Sequence, residues 1–223
     1  MRPGEDERAW LSPAPGYVAE EIAGEFPGLR LQWVTIEARR RTSPPALRGR
    51  LRDLSNRYRG YSVVAMRTKP IPHAYRAFFR QIGLDPDVDR IPSEAAAVGR
   101  LLLGGFRSVD LITDACLVAL IETGVPVWAL DADGVDESGL GIRTAGAADC
   151  DAQAGAVGVS PGNLVVADGN TVQALLFGEP FPDRSVRTTT TRVALYAVGV
   201  DGVPEIHLEE ALWLSEELVG TGR

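Results

Sequence analysis

The chain has 223 residues, of which 45% are apolar and 24% charged, and carries a net charge of −7, the make-up of one ordinary folded domain or two small ones. No apolar run approaches the ~20 residues that cross a bilayer, and Met1-Arg2-Pro3-Gly4-Glu5-Asp6-Glu7 has no apolar core behind a basic start, so neither a membrane span nor export is expected. The two cysteines, Cys116 and Cys150, have no metal-ligand spacing, which excludes a zinc framework and fits a reduced cytoplasmic setting.

Residues 1–16, rich in Pro, Gly and charge, are expected to form a loosely held arm ahead of a single domain over 17–223. Tyr17 to Phe26 suits a short helix stopped by Pro27-Gly28, and Leu29 to Ile36 alternates like a strand, with Leu31, Trp33 and Thr35 on one face. Ser43-Pro44 reads as a helix start, an N-cap hydroxyl followed by a proline that needs no amide donor. Leu47, Leu51, Leu54 and Tyr58 then recur at i, i+4, i+7 and i+11 as one apolar stripe, while Arg48, Arg52 and Arg59 lie on a different face. Further helices are expected from Ala74 to Ile82, from a Ser93 cap to about Leu103, and from Val109 to Glu122. The last is apolar on almost every face and should be buried.

From Val125 onward the pattern turns to strands at 125–130, 140–144, 164–168, 172–177 and 191–199, each bounded by Gly, Asp or Pro. The run from Ala145 to Gly158 reads as a loop, and Leu208 to Val219 as a closing helix with Ala211, Leu212 and Val219 inward. Helices dominate the first half and strands the second. That order predicts an α+β fold, a helical N-terminal half packed on a β-rich core. The helix 109–122 should lie against one sheet holding 125–130, 164–168, 172–177 and 191–199.

Charge is unevenly spread. Between Arg30 and Lys69 there are 11 basic residues against Glu37 and Asp53, a local balance of +9, and the rest of the chain carries −16. Such polarisation fits a weak polyanion contact through Arg48, Arg52 and Arg59, or a solvated helix face with acidic neighbours elsewhere.

Much familiar chemistry is absent from the sequence. It has no phosphate-cradling Gly-x-x-x-x-Gly-Lys, no dinucleotide Gly-x-Gly-x-x-Gly after a strand, and no Gly-x-Ser-x-Gly elbow. Two histidines, His73 and His207, leave little for zinc or a serine triad, so neither a metal nor a cofactor is expected. Asp131 and Asp133 read as turn residues.

One long signature remains. It runs from Asp114 through Glu122-Thr123-Gly124-Val125-Pro126, Ile142-Arg143 and Val165 to Asp168, and closes on Phe177-Gly178-Glu179. Upstream stand Tyr75-Arg76-Ala77-Phe78-Phe79-Arg80, Gly83-Leu84-Asp85-Pro86 and Ser93-Glu94-Ala95. In this order the pieces resemble the B3/B4 editing module of the phenylalanyl-tRNA synthetase β subunit and its free-standing relatives, most strongly over 75–200. The resemblance implies an aminoacyl-tRNA deacylase acting in trans on a mischarged tRNA. Alternatives of the same fold are a non-catalytic module that binds tRNA, other RNA or an amino acid, and an interaction domain with a decayed pocket. The resemblance places Glu179 in the pocket that inspects the amino acid, with Gly178 letting backbone approach the ligand. The cavity around Glu179 would be lined by Trp128 and by the strand carrying Phe177. Asp114 is read as fixing the core, and Arg143 as either a carboxylate or phosphate ligand or a strand-surface ion pair. Backbone amides near Gly178 are expected to serve as oxyanion donors. Two positions depart from the family pattern: Trp128 replaces a histidine and Leu117 an asparagine, which makes the expected pocket more apolar.

Overall fold

The computed structural model describes residues 12–58, 60–136, 138–152 and 158–221. Two short strands, β1 (Ala14–Pro15) and β2 (Tyr17–Val18), precede helix α1 (Glu20–Glu25) and the long strand β3 (Arg30–Glu37). Five helices follow: α2 (Pro45–Arg57), α3 (Gly60–Met66), α4 (Pro70–Gln81), α5 (Pro92–Leu103) and α6 (Leu111–Thr123). Next come β4 (Val127–Asp131), β5 (Gly141–Thr144), α7 (Ala147–Ala152), β6 (Leu164–Ala167), β7 (Val172–Leu175), β8 (Arg192–Gly199) and α8 (Glu205–Gly220). The fold is α+β. No described helix is long and apolar enough to cross a membrane.

The strands form two sheets, ordered β1-β3-β8-β4 and β2-β5-β6-β7, where the sequence pattern predicts one. β8 lies inside the first sheet, with a neighbour on each side. β8 pairs antiparallel with β3 from Arg192 to Gly199 on one side and with β4 from Val193 to Ala197 on the other. Neither edge is left for β6 or β7, which extend β5 instead. The helix-dominated first half supplies β3 to the first sheet, at the strand expected over Leu29 to Ile36.

β8 is buried along almost its whole length, so both sheet faces are covered. On one face Gln32 donates to Glu205 of α8 at 2.7 Å and Gly199 packs under Leu208. On the other, the register aligns Trp33, Tyr196 and Trp128 across three strands. The Tyr75 hydroxyl of α4 donates to the Val198 carbonyl at 2.7 Å.

Several starts differ from the sequence expectation, each because a side chain has a better partner elsewhere. Tyr17 begins a strand, not a helix: its ring fills the space beside Gly141, and its hydroxyl donates to the carbonyls of Ala167 and Asp168. Of the expected arm, residues 1–11 lie outside the described residues, while Ala14 and Pro15 pair with Trp33 and Gln32. Ser43 does not cap α2. Its hydroxyl donates to Asp114 at 2.5 Å, and Pro44 takes the cap position. Ser93 likewise sits inside the first turn of α5, after Ile91 and Pro92. The true cap of α6 is Asp110, which accepts from the amides of Ile112 and Thr113. Part of the expected loop 145–158 is the helix α7; 153–157 lie outside the described residues.

α6 carries the core. Ala115, Val118 and Ala119 are fully buried, and Gly124 at φ 80° ends the helix in the left-handed conformation that glycine tolerates best. Asp114, also fully buried, accepts from Ser43, Ser108 and the Val109 amide. It fastens the entry of α2 to the entry of α6. A second buried polar knot joins α4 to α5. Arg76 donates to both oxygens of Glu94 (3.0 and 2.9 Å), to the Pro86 carbonyl (3.2 Å) and to Asp87 (2.9 Å). The upstream signature is thus a latch, with Arg76, Pro86 and Glu94 meeting in space.

Candidate functional site

A cleft of about 670 Å³ opens between α5, α6, the edge strand β4 and the segment 177–186. α5 contributes Ala95 and Ala96, α6 contributes Cys116, Leu117 and Leu120, and β4 contributes Trp128. Glu179, Trp128 and Phe177 all line it; Gly178 and Arg143 do not.

Trp128 is buried and stacks on Tyr196 with ring centres 5.4 Å apart and planes 18° from parallel. Phe177 has φ 62°, a backbone region costly for an aromatic residue, at roughly 1–3 kcal/mol. Its surroundings hold it there. The ring packs on Tyr75, Phe78, Phe79 and Trp128 at centroid distances of 5.7, 5.8, 5.3 and 6.1 Å. Gly178 belongs to this turn: a Cβ there would sit 3.2 Å from Leu175, and its amide donates to the Leu175 carbonyl at 2.9 Å. That amide is consequently not free to stabilise an oxyanion, which corrects the expectation for Gly178.

Glu179 follows this fixed turn. Its carboxyl makes no hydrogen bond or ion pair among the described residues, and burial raises its pKa above the ordinary glutamate value. More than a third of the residue surface remains accessible, so the desolvation is partial. An unpaired carboxylate against apolar walls is a group in want of a cationic or donor partner. Cys116 of α6 lines the same cleft. Burial pushes its thiol up to about 12, with the charge of Glu179 adding to the effect, so near neutral pH it is a protonated, inert thiol. At the rim, Arg40 pairs with Asp110 at 2.9 Å and Arg90 is exposed.

The remaining candidates lie elsewhere. Arg143 on β5 grips Asp149 through two hydrogen bonds of 2.7 and 2.9 Å, which raises the arginine pKa and lowers that of Asp149. Of its two readings, the structure shows the ion pair. Arg48 and Arg52 are exposed on α2 without an ion pair among the described residues; Arg59 lies outside them. His73 is exposed and His207 contacts Glu210 at 3.1 Å; neither lines the cleft. Asp168 is buried as the hub of the β6–β7 turn, accepting from the amides of Asp136, Asn170 and Thr171. No group of three or more metal-ligating side chains occurs among the described residues.

Sequence reasoning missed Arg40, Arg90, Asp110 and Cys116 as cleft residues. Asp110 had a readable signal, an acid just before an apolar helical run. Nothing local marks Arg40 or Arg90, which reach the cleft only through the path of the chain. The chain matches no protein-family model, and no curated protein is significantly similar to it.

Proposed function

We propose that this cleft receives the aminoacyl end of a mischarged tRNA in the cytoplasm and hydrolyses its ester. One observation carries the reading: the unpaired, partly desolvated carboxyl of Glu179 faces an apolar cleft of small-molecule size. A protonated α-amine, or a polar tip of the amino-acid side chain, would satisfy that carboxylate. Leu117, Trp128 and Phe177 would hold the apolar part. The ester is already activated, so hydrolysis needs chiefly a placed water and stabilisation of the developing oxyanion. Water adds to the carbonyl carbon, the acyl C–O bond breaks, and the ribose oxygen leaves with a proton. The vicinal ribose hydroxyl of the substrate is the group assigned to orient that water, because Cys116 is held as a thiol and both histidines lie outside the cleft.

The test is deacylation of a panel of mischarged tRNAs by the purified protein. Selective release of one or a few amino acids, abolished or blurred by Glu179→Ala, is the expected result. Uniform inertness across the panel removes the catalytic reading. One observation favours a second reading, a binding module of the same shape: the cleft lining contains no histidine and no ionised thiol to act as base. Tight binding of a non-hydrolysable aminoacyl-adenosine analogue without turnover would select it.

A further inference from the structure

Three consecutive arginines, Arg39, Arg40 and Arg41, link β3 to α2, and they divide between two cavities. Arg40 lines the cleft described above. Arg39 and Arg41 line a second groove of about 600 Å³, together with Arg192 of β8, Glu37 and Leu111. The two cavities are neighbours along α6: Asp110 and Ile112 border the first and Leu111 the second. The two cavities thus share a border, the segments Arg39–Arg41 and Asp110–Ile112, which the Leu111 amide joins by donating to the Arg41 carbonyl at 2.8 Å.

The groove presents exposed cations. Arg39 and Arg192 are exposed. Among the described residues Arg39 makes no ion pair, and Arg192 makes one, a 3.4 Å contact with Asp133 whose side chains are 59% and 60% exposed. Exposed pairs of that kind contribute little and exchange readily for another anion. Arg41 and Glu37 have interactions of their own, which leaves Arg39 and Arg192 as the groove's available cations. Around the groove the charge is positive while the chain as a whole is acidic, so the attraction is local to this face.

Resting on the proposed function, we infer that the single-stranded 3′ end of the RNA leaves the cleft over Arg40 and runs along the Arg39–Arg192 groove. The track is not the α2 face bearing Arg48 and Arg52. Both faces are basic, but the groove adjoins the cleft, whereas neither Arg48 nor Arg52 lines either cavity.

The experiment is fluorescence anisotropy with a short, labelled, unacylated single-stranded RNA over a range of salt concentrations, using the full chain. Arg39→Ala combined with Arg192→Ala should weaken binding about tenfold at low salt and flatten the log–log salt slope by about 1.4, since each single-strand phosphate contact contributes about 0.7. Arg48→Ala with Arg52→Ala should leave both quantities near the parent. Loss confined to the Arg48/Arg52 variant, or an unchanged slope in the Arg39/Arg192 variant, overturns the track. No binding by the parent protein at low salt overturns it as well. Because the probe carries no ester, the result is independent of turnover. Deacylation that persists with an unchanged slope refutes the track alone, and a flattened slope without turnover refutes the hydrolytic reading alone.

Discussion

Replacing Glu94 by alanine should destabilise the protein by about 3 kcal/mol, and the size follows from what Arg76 would keep. The Arg76 and Glu94 side chains are only 7% and 2% exposed. Breaking a buried ion pair by removing one partner costs about 3–5 kcal/mol, because the remaining charge is left uncompensated. Here Arg76 retains the Pro86 carbonyl at 3.2 Å and Asp87 at 2.9 Å, and Asp87 is more than half exposed, so the loss falls at the lower end. For a chain of this size each kcal/mol moves the melting midpoint by about 2–4 °C, which gives a drop of about 6–12 °C. Far-UV circular dichroism and tryptophan fluorescence, melted by heat and by urea, should agree on the shift, with the urea m-value unchanged. Arg76→Met combined with Glu94→Leu should recover at least half of the loss, since an apolar pair removes the stranded charge. A loss below about 1 kcal/mol for Glu94→Ala would refute the latch. Because α5 carries Ala95 and Ala96 into the cleft, the same variant should also weaken ligand binding.

Under the proposed function, Glu179→Ala should lower deacylation of the preferred substrate about ten- to hundredfold, the equivalent of ~1.5–3 kcal/mol for a charged hydrogen bond, measured as kcat/KM. Glu179→Gln should raise stability at neutral pH. Burial raises the folded-state pKa of Glu179, so keeping the carboxylate charged costs stability above that pKa. The variant should melt higher than the parent at neutral pH, and the gap should close at pH values below the ordinary glutamate range. Phe177→Ala should cost about 3 kcal/mol in chemical denaturation, because four ring contacts are lost. Cys116 should resist a thiol reagent in the native protein at pH 8 and react on unfolding, since its thiol pKa is about 12; rapid native labelling would refute its burial.

Local periodicity makes most elements readable from the sequence. The Leu47, Leu51 and Leu54 stripe is buried as spaced, and the all-apolar α6 lies in the core as its composition requires. The failures share a cause, a partner distant in sequence. Ser43 looked like a cap because its neighbourhood is a helix start, yet Asp114, 71 residues on, takes its hydroxyl. Tyr17 looked helical, yet carbonyls at 167 and 168 and the gap beside Gly141 draw it into a strand. The division into two sheets depended on which edges of β8 were already taken, which no single segment encodes. At the site, the sequence singled out Glu179, Trp128 and Phe177, and the structure brings those three to one cleft. Arg143 shared their signature but not their place, because Asp149, six residues away, binds it first.

The strained turn at Phe177 has a consequence for how this cleft can change. Its acid is mounted on the hydrophobic interior itself: the residue before Gly178 and Glu179 is pinned by rings from α4 and β4. A ligand meeting Glu179 therefore finds it already positioned and spends no binding energy on ordering the loop. The same mounting makes selectivity hostage to residues that never touch the ligand. Trimming Phe78 or Phe79 would let the turn relax toward a commoner backbone angle and carry the carboxyl with it. A drift in substrate preference could thus begin in the core of the protein, with every residue of the cleft wall unaltered.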